Sequence, residues 1–216
     1  MQDNKATGKT SEMAKSADRV IDTLKQLSVR TNVIVLSPEW MTKIKAKAIE
    51  QQKQFEGQEG NYNHNKVKSI MSGLMAEVGL RNTYRHYGTQ ARLNLHALQP
   101  DLTIPPTTTL QGHVVEHHEE VKSWQLCHYD RFGNTVKVEH AKKYLAKGRK
   151  RVWFCSCDVE NATVVIRGWL TPAEIMENDI ILTEGKYGDY NYNCLVLHRA
   201  SEVFPKLQEV DVDAWW

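Results

Sequence analysis

The 216-residue chain is poor in cysteine, with four, has no long apolar run, and carries a net charge of only +2. The missing apolar run argues against a membrane helix or an export signal, so the expectation is a cytosolic protein whose thiols stay reduced. The near-neutral charge excludes a global field that attracts nucleic acid; such a role needs a local basic patch. What remains is ordinary for a globular protein: 41% hydrophobic and 25% charged residues. This length predicts one domain with an appendage, and no internal repeat is visible.

Residues 1–16 are polar and read as a frayed tail, followed by a helix over 17–27 with Val20, Ile21 and Leu24 on one face. The run 32–36, NVIVL, reads as a short strand. Ser37-Pro38-Glu39 then opens a helix to about Phe55, with Ser37 as N-cap and Glu39 at the positive dipole end. The loop composition of 56–65 separates an N-terminal helical extension, residues 1–56, from a main body over 57–216. A helix over 66–87 puts Ile70, Leu74, Glu77 and Val78 on one face, with Gly73 and Gly79 permitting close approach.

Phe132-Gly133-Asn134 reads as a turn and 135–148 as a helix with Val138, Ala141 and Leu145 inward, ending at Gly148. Strands are expected at 151–159 and 163–170, joined by a hairpin at 160–162, and at 194–200. A short helix starts at Thr171-Pro172. The fold class is α/β or α+β, a mixed sheet flanked by helices.

The chemistry concentrates at Glu120-Val121-Lys122. In a strand, residues two apart share a face, so Glu120 and Lys122 project together while Val121 turns to the core. Asp101 begins the preceding strand, where pairing brings its carboxylate beside Glu120. Two converging hard oxygen ligands suit Mg²⁺ or Mn²⁺, and a neighbouring lysine can position a water, lower its pKa or offset phosphate charge. That is the chemistry of phosphodiester hydrolysis. The same acid-x-lysine spacing occurs at Asp3-Asn4-Lys5, in the polar tail, and at Glu184-Gly185-Lys186, in a glycine-rich turn. Only the middle copy follows an apolar strand and has Pro100-Asp101 upstream.

Glu77 stands on the helix before the Asp101 strand, and a basic helix feeding a strand follows Lys122. With these features the chain, over about 66–200, resembles the PD-(D/E)XK nuclease superfamily. Pro100-Asp101 matches its PD element, Glu120-Val121-Lys122 its (D/E)XK element, and Gly73-x-x-x-Glu77 its helical glutamate. The resemblance implies a restriction-endonuclease-like fold over 57–216 and a metal-dependent nuclease acting on DNA in a bacterial or phage-infected cytosol. It implies Asp101 and Glu120 as Mg²⁺ ligands (Mn²⁺ as the substitute), with the Val121 carbonyl as a further ligand. Lys122 would orient or activate the attacking water, and Glu77 would hold a second metal or a metal-bound water. The chain departs from the pattern at Pro105-Pro106, which predicts a short Asp101 strand or a long loop. Glu116, of the same strand parity as Glu120, is the alternative acid.

Blander readings compete. Glu120 and Lys122 could form a cross-strand ion pair on a solvated face. His113, His117 and His118 match no familiar zinc spacing and read as surface residues, although His118 shares the Glu120 face and could touch a phosphate. Cys155 and Cys157, on one strand face, and the lone Cys127 and Cys194 read as buried small hydrophobes. The run 61–66, NYNHNK, lacks the strand and second histidine of a His-Asn metal-finger nuclease and reads as a loop. Lys137, Lys142, Lys143, Lys147, Arg149, Lys150 and Arg151 stand against a single acid, Glu139; the run reads as a solvated face by default, and, because it follows the metal strand, as a phosphate-backbone surface that would supply affinity rather than sequence choice. Tyr144, Tyr187, Tyr190 and Tyr192 fit base stacking or packing equally. Trp215-Trp216 either docks on the body or meets a partner, and the N-terminal helices offer a homodimer interface or a DNA clamp. A non-catalytic nucleic-acid-binding or scaffold protein that keeps this fold is the alternative function.

Overall fold

The computed structural model describes residues 31–54, 66–94, 100–108, 114–183 and 189–210. The expected helix over 17–27, the run 61–65, His113, Tyr187 and Trp215-Trp216 lie outside the described residues.

The chain is a mixed α+β protein built on a mostly antiparallel sheet. In chain order the strands and helices are β1 (Val33–Val35), α1 (Pro38–Gln54), α2 (Lys66–His86), β2 (Arg92–Leu93), β3 (Leu102–Thr108) and β4 (Val114–Gln125). There follow α3 (Leu126–Phe132), β5 (Thr135–Lys137), α4 (Val138–Ala146), β6 (Arg151–Asp158), β7 (Thr163–Leu170), α5 (Pro172–Met176), β8 (Ile180–Thr183) and β9 (Asp189–Asn193). The six-stranded sheet has the order β1-β7-β6-β4-β3-β2, and a smaller sheet has the order β5-β9-β8. Among the strands of the described residues only β4 and β6 pair in parallel, which requires the crossover through α3, β5 and α4.

Local signals explain two of the helix starts. The Ser37 hydroxyl accepts from the Trp40 N–H (3.3 Å), starting α1. Thr171 and Glu174 form a reciprocal capping box that starts α5. Of the segment 1–56, the described part shares the main core: β1 pairs with β7, and Ile44 and Ala48 of α1 pack with α2 and the sheet. Gly79 permits the close approach expected of it, since a Cβ there would press on the Val164 side chain at 3.3 Å, whereas Gly73 faces open space.

Several expectations are corrected. Residues 135–148 are not one helix: β5 takes the first three and α4 begins at Val138. Of the residues expected inward, Ala141 is buried and Val138 packs partly buried against the same cluster, but Leu145 is exposed and Tyr144 is the buried residue of that turn, because the helix packs on the Ala141–Tyr144 side of its surface. Residues 194–200 form no strand; the segment meets β7 through mutual backbone bonds between Trp169 and His198 (3.1 and 3.0 Å), a bond from the Trp169 indole N–H to the Arg199 carbonyl (3.2 Å) and stacking of the Trp169 and His198 rings. The last sheet strand is β9, at the end of the run 184–193, EGKYGDYNYN, whose composition reads as a glycine-rich turn. Pro105-Pro106 does not shorten β3: the strand passes through them as an irregularity between Ile104 and Thr107, where two missing N–H groups are tolerated. Cys155, Cys157 and Cys194 are buried as expected, but Cys127 is exposed.

Candidate active site

β4 carries two different faces. Glu119 and Val121 point toward α2, while Glu120 and Lys122 point to the side of α4, sharing it with their parallel partners Val152 and Phe154. On the α2 side, the fully buried Glu119 carboxylate accepts from the Tyr84 hydroxyl, the Trp153 indole N–H and Arg151 Nη1, each at 2.7 Å. Three donors, one of them charged, compensate the burial of that carboxylate. This network pins α2, β4 and β6 together one residue from Glu120.

Asp101 stands one residue before the β3–β4 ladder, which begins with Leu102 opposite Glu119. Beyond that point β3 offers β4 no further backbone partner. The Asp101 carboxylate fills the place: its Oδ2 accepts the Val121 N–H at 2.7 Å. An antiparallel residue turns its N–H and C=O to the same neighbour, so the Val121 carbonyl also faces the Asp101 side. The Asp101 charge also acts on Glu120.

Four ionisable groups thus influence one another. Burial, and then the charges of Asp101 and Glu120, hold Glu77 well above the usual carboxylate range. Burial raises Asp101 against the Val121 N–H, which lowers it. Burial and the Asp101 charge push Glu120 up to about 7, opposed by Arg149. Burial pulls Lys122 down, while Asp101 and Glu120 hold it up. The Lys122 ammonium lies 5.3 Å from the centre of the Tyr144 ring. Its charge, after burial, contributes to lowering His140 to about 4.

Arg149 Nε donates to Glu120 Oε1 at 2.6 Å, in a nearly buried ion pair. The basic run therefore divides. Lys142, Lys143, Lys147 and Lys150 are exposed, and Lys137 is half-buried. Arg149 and Arg151 turn inward to Glu120 and Glu119, so neither presents an exposed cation of the kind the sequence reading assigned to them. Tyr144 and Tyr192 are buried, and only Tyr190 of the described tyrosines in that reading is exposed. Glu116 does not join the cluster: it is exposed and lies 4.0 Å from His118 Nε2. His118 Nδ1 is 3.3 Å from the Thr103 hydroxyl. The inward arginines and the Glu119 network escaped the sequence reading, although strand parity already separates Glu119 from Glu120.

Among the described residues no group of three or more His, Cys, Asp or Glu side chains is arranged to hold a metal ion. The pair Asp101 and Glu120 with the Val121 carbonyl is a different donor set, two carboxylates and one carbonyl. It fits Mg²⁺, which binds through one or two carboxylates and keeps several waters. Two crowded carboxylates, both held above their ordinary range, are the electrostatic condition that a divalent cation relieves.

No protein-family model matches the chain, and no curated protein or solved structure is significantly similar to it. No helix among the described residues is long and apolar enough to cross a membrane.

Proposed function

We propose that the chain is a divalent-metal-dependent nuclease that hydrolyses phosphodiester bonds in DNA, with a PD-(D/E)XK site on a restriction-endonuclease-like fold. One observation carries the reading: the Asp101 carboxylate is bonded to the main chain between Glu120 and Lys122. That bond ties Asp101 to the strand carrying Glu120 and Lys122, which supports their acting at one place. The order of elements supports it as well: a helix with Glu77, a strand entered at Asp101, a strand bearing Glu120-Val121-Lys122, then a helix and a parallel strand.

Asp101, Glu120 and the Val121 carbonyl would hold Mg²⁺ or Mn²⁺, with Glu77 as a further carboxylate beside them. When bound, the ion supplies Lewis-acid activation of water and charge neutralisation at the phosphate. The residues of the chain do the rest. Lys122 stands at a depressed pKa beside the two acids, able as ammonium to orient a water or as amine to take its proton. Tyr144 covers Lys122 and limits solvent around it. Exposed Lys142 and Lys143 on α4, and Lys147 at its end, offer contacts to the DNA backbone.

The test is cleavage of linear, circular and branched DNA with Mg²⁺ or Mn²⁺ by the wild type, Lys122→Ala and Asp101→Asn. The expected result is metal-dependent cutting by the wild type and a loss of about 10²–10³-fold or more in each variant. Salt-sensitive binding without cutting under any metal would refute the reading in favour of a non-catalytic DNA-binding protein.

A further inference from the structure

The candidate site contains a second cation besides Lys122, and its placement is more constrained. α4 ends in a Schellman motif: Gly148, at φ +62°, donates to the Leu145 carbonyl (3.0 Å), and the Arg149 N–H donates to the Tyr144 carbonyl (3.0 Å). One residue later the Lys150 N–H donates to the His118 carbonyl at 2.9 Å, joining the chain to β4. The Arg149 backbone is therefore fixed from both sides, by a helix cap and by the sheet. From this anchor its side chain, only 6% exposed, reaches Glu120.

The contact to Glu120 uses Nε alone. Neither Nη nitrogen makes a hydrogen bond to a described residue, and neither is sealed from solvent. A guanidinium is a fork with five donors, suited to bridging two oxyanions. Here one edge is occupied by a carboxylate of the candidate metal site and the remaining donors are left over. Desolvating a guanidinium costs several kcal/mol, and one carboxylate partner satisfies only part of its donor capacity. Its charge also lowers Asp101 and Glu120, so it lies within electrostatic reach of both acids.

We propose that Arg149 is a catalytic residue that binds a non-bridging oxygen of the scissile phosphate through its Nη groups while Nε holds Glu120. This rests on the nuclease reading above. In the hydrolysis the water oxygen uses one electron pair to bond phosphorus, and one P–O ester bond breaks with its pair going to the departing oxygen. That oxygen takes up a proton, and the attacking water gives one up to Lys122 or solvent. Charge accumulates on the phosphoryl oxygens as the bond forms, and Arg149 stabilises it at a fixed position.

The experiment compares the wild type with Arg149→Met, Arg149→Lys and, as a control, Lys43→Met on α1. Two quantities are read: kcat and KM for DNA cleavage in Mg²⁺, and the salt dependence of DNA binding in EDTA. Arg149→Met should lower kcat about 10²–10³-fold. It should also reduce the slope of log K against log salt by about one, the signature of a lost phosphate contact. Arg149→Lys, which keeps the buried charge but loses the fork, should retain the slope and lose about tenfold or more in kcat, and it serves as the readout should Arg149→Met not fold. Lys43→Met should change neither quantity. If the wild type cuts and Arg149→Met, or Arg149→Lys in its place, cuts within about threefold of it, this inference is overturned while the nuclease reading stands. An unchanged salt slope in a folded Arg149→Met protein overturns it too. A wild type that cuts nothing overturns both.

Discussion

Asp101 Oδ2 accepts the main-chain N–H of Val121 at 2.7 Å, across the end of the β3–β4 ladder. The carboxylate thereby completes the backbone pairing that β3 stops supplying, and it is oriented by the same bond. Structural and chemical roles are joined in one side chain, and two substitutions separate them. Asp101→Asn keeps an oxygen that can accept the Val121 N–H but loses the charge. Its melting temperature should stay within a few degrees of wild type while Mn²⁺ affinity falls at least tenfold, measured by calorimetric titration. Asp101→Ala loses both and should be less stable than Asp101→Asn by about 1–2 kcal/mol in urea unfolding.

The raised carboxylates give a pH dependence of definite sign. Glu120, near 7 in the folded chain, has an ordinary value of 4.5 when unfolded, and Asp101 and Glu77 are raised in the same direction. The folded state therefore binds these protons more tightly than the unfolded one. The associated stability is present below about pH 4.5 and is lost as pH rises through 7. In EDTA, melting temperature should fall across this window, and saturating Mg²⁺ should reverse the fall at the upper end, where it replaces the protons. A profile that is flat in EDTA between pH 5 and 8 and insensitive to Mg²⁺ contradicts the crowding of the three acids.

Glu119 and Glu120 are adjacent in sequence and opposite in role. Glu119 faces the aromatic side of the sheet, where Tyr84, Trp153 and Phe204 pack at ring distances of 4.8–6.2 Å. Glu119→Gln leaves Arg151 without its charged partner and turns an amide toward one of three donors. Urea unfolding should show a loss of about 3 kcal/mol. Mn²⁺ affinity, which belongs to the other face, should change less than about threefold.

Much of this site was legible from strand parity alone. An alternation of period two puts Glu120 and Lys122 together and Val121 inward, and Val121 is buried in the α2-facing core. The proximity of Asp101 to Glu120 followed from pairing two successive strands. What escaped depends on pairing between distant segments. β5 and β9 join residues 135–137 to 191–193; β5 is only three residues long, and the tyrosine alternation of β9, DYNYN, is masked by its Asp and Asn content and the glycines before it, which read as a turn. α3 was missed because its N-cap position holds Gln125, which makes no side-chain cap. Arg149 looked like one more member of a basic stripe. Its inward turn is set by the Gly148 cap and by the β4–β6 register, and only the first of these leaves a local mark in the sequence.

The central claim is that Asp101, Glu120 and Lys122 surround one divalent cation, and anomalous diffraction from crystals soaked in Mn²⁺ tests it most directly. The account predicts a manganese peak within coordination distance of the Asp101 and Glu120 carboxylates and beside the Val121 carbonyl, with the Lys122 amine facing a metal-bound water. Manganese found only elsewhere on the molecule, at full occupancy and with these two carboxylates free of it, would contradict it.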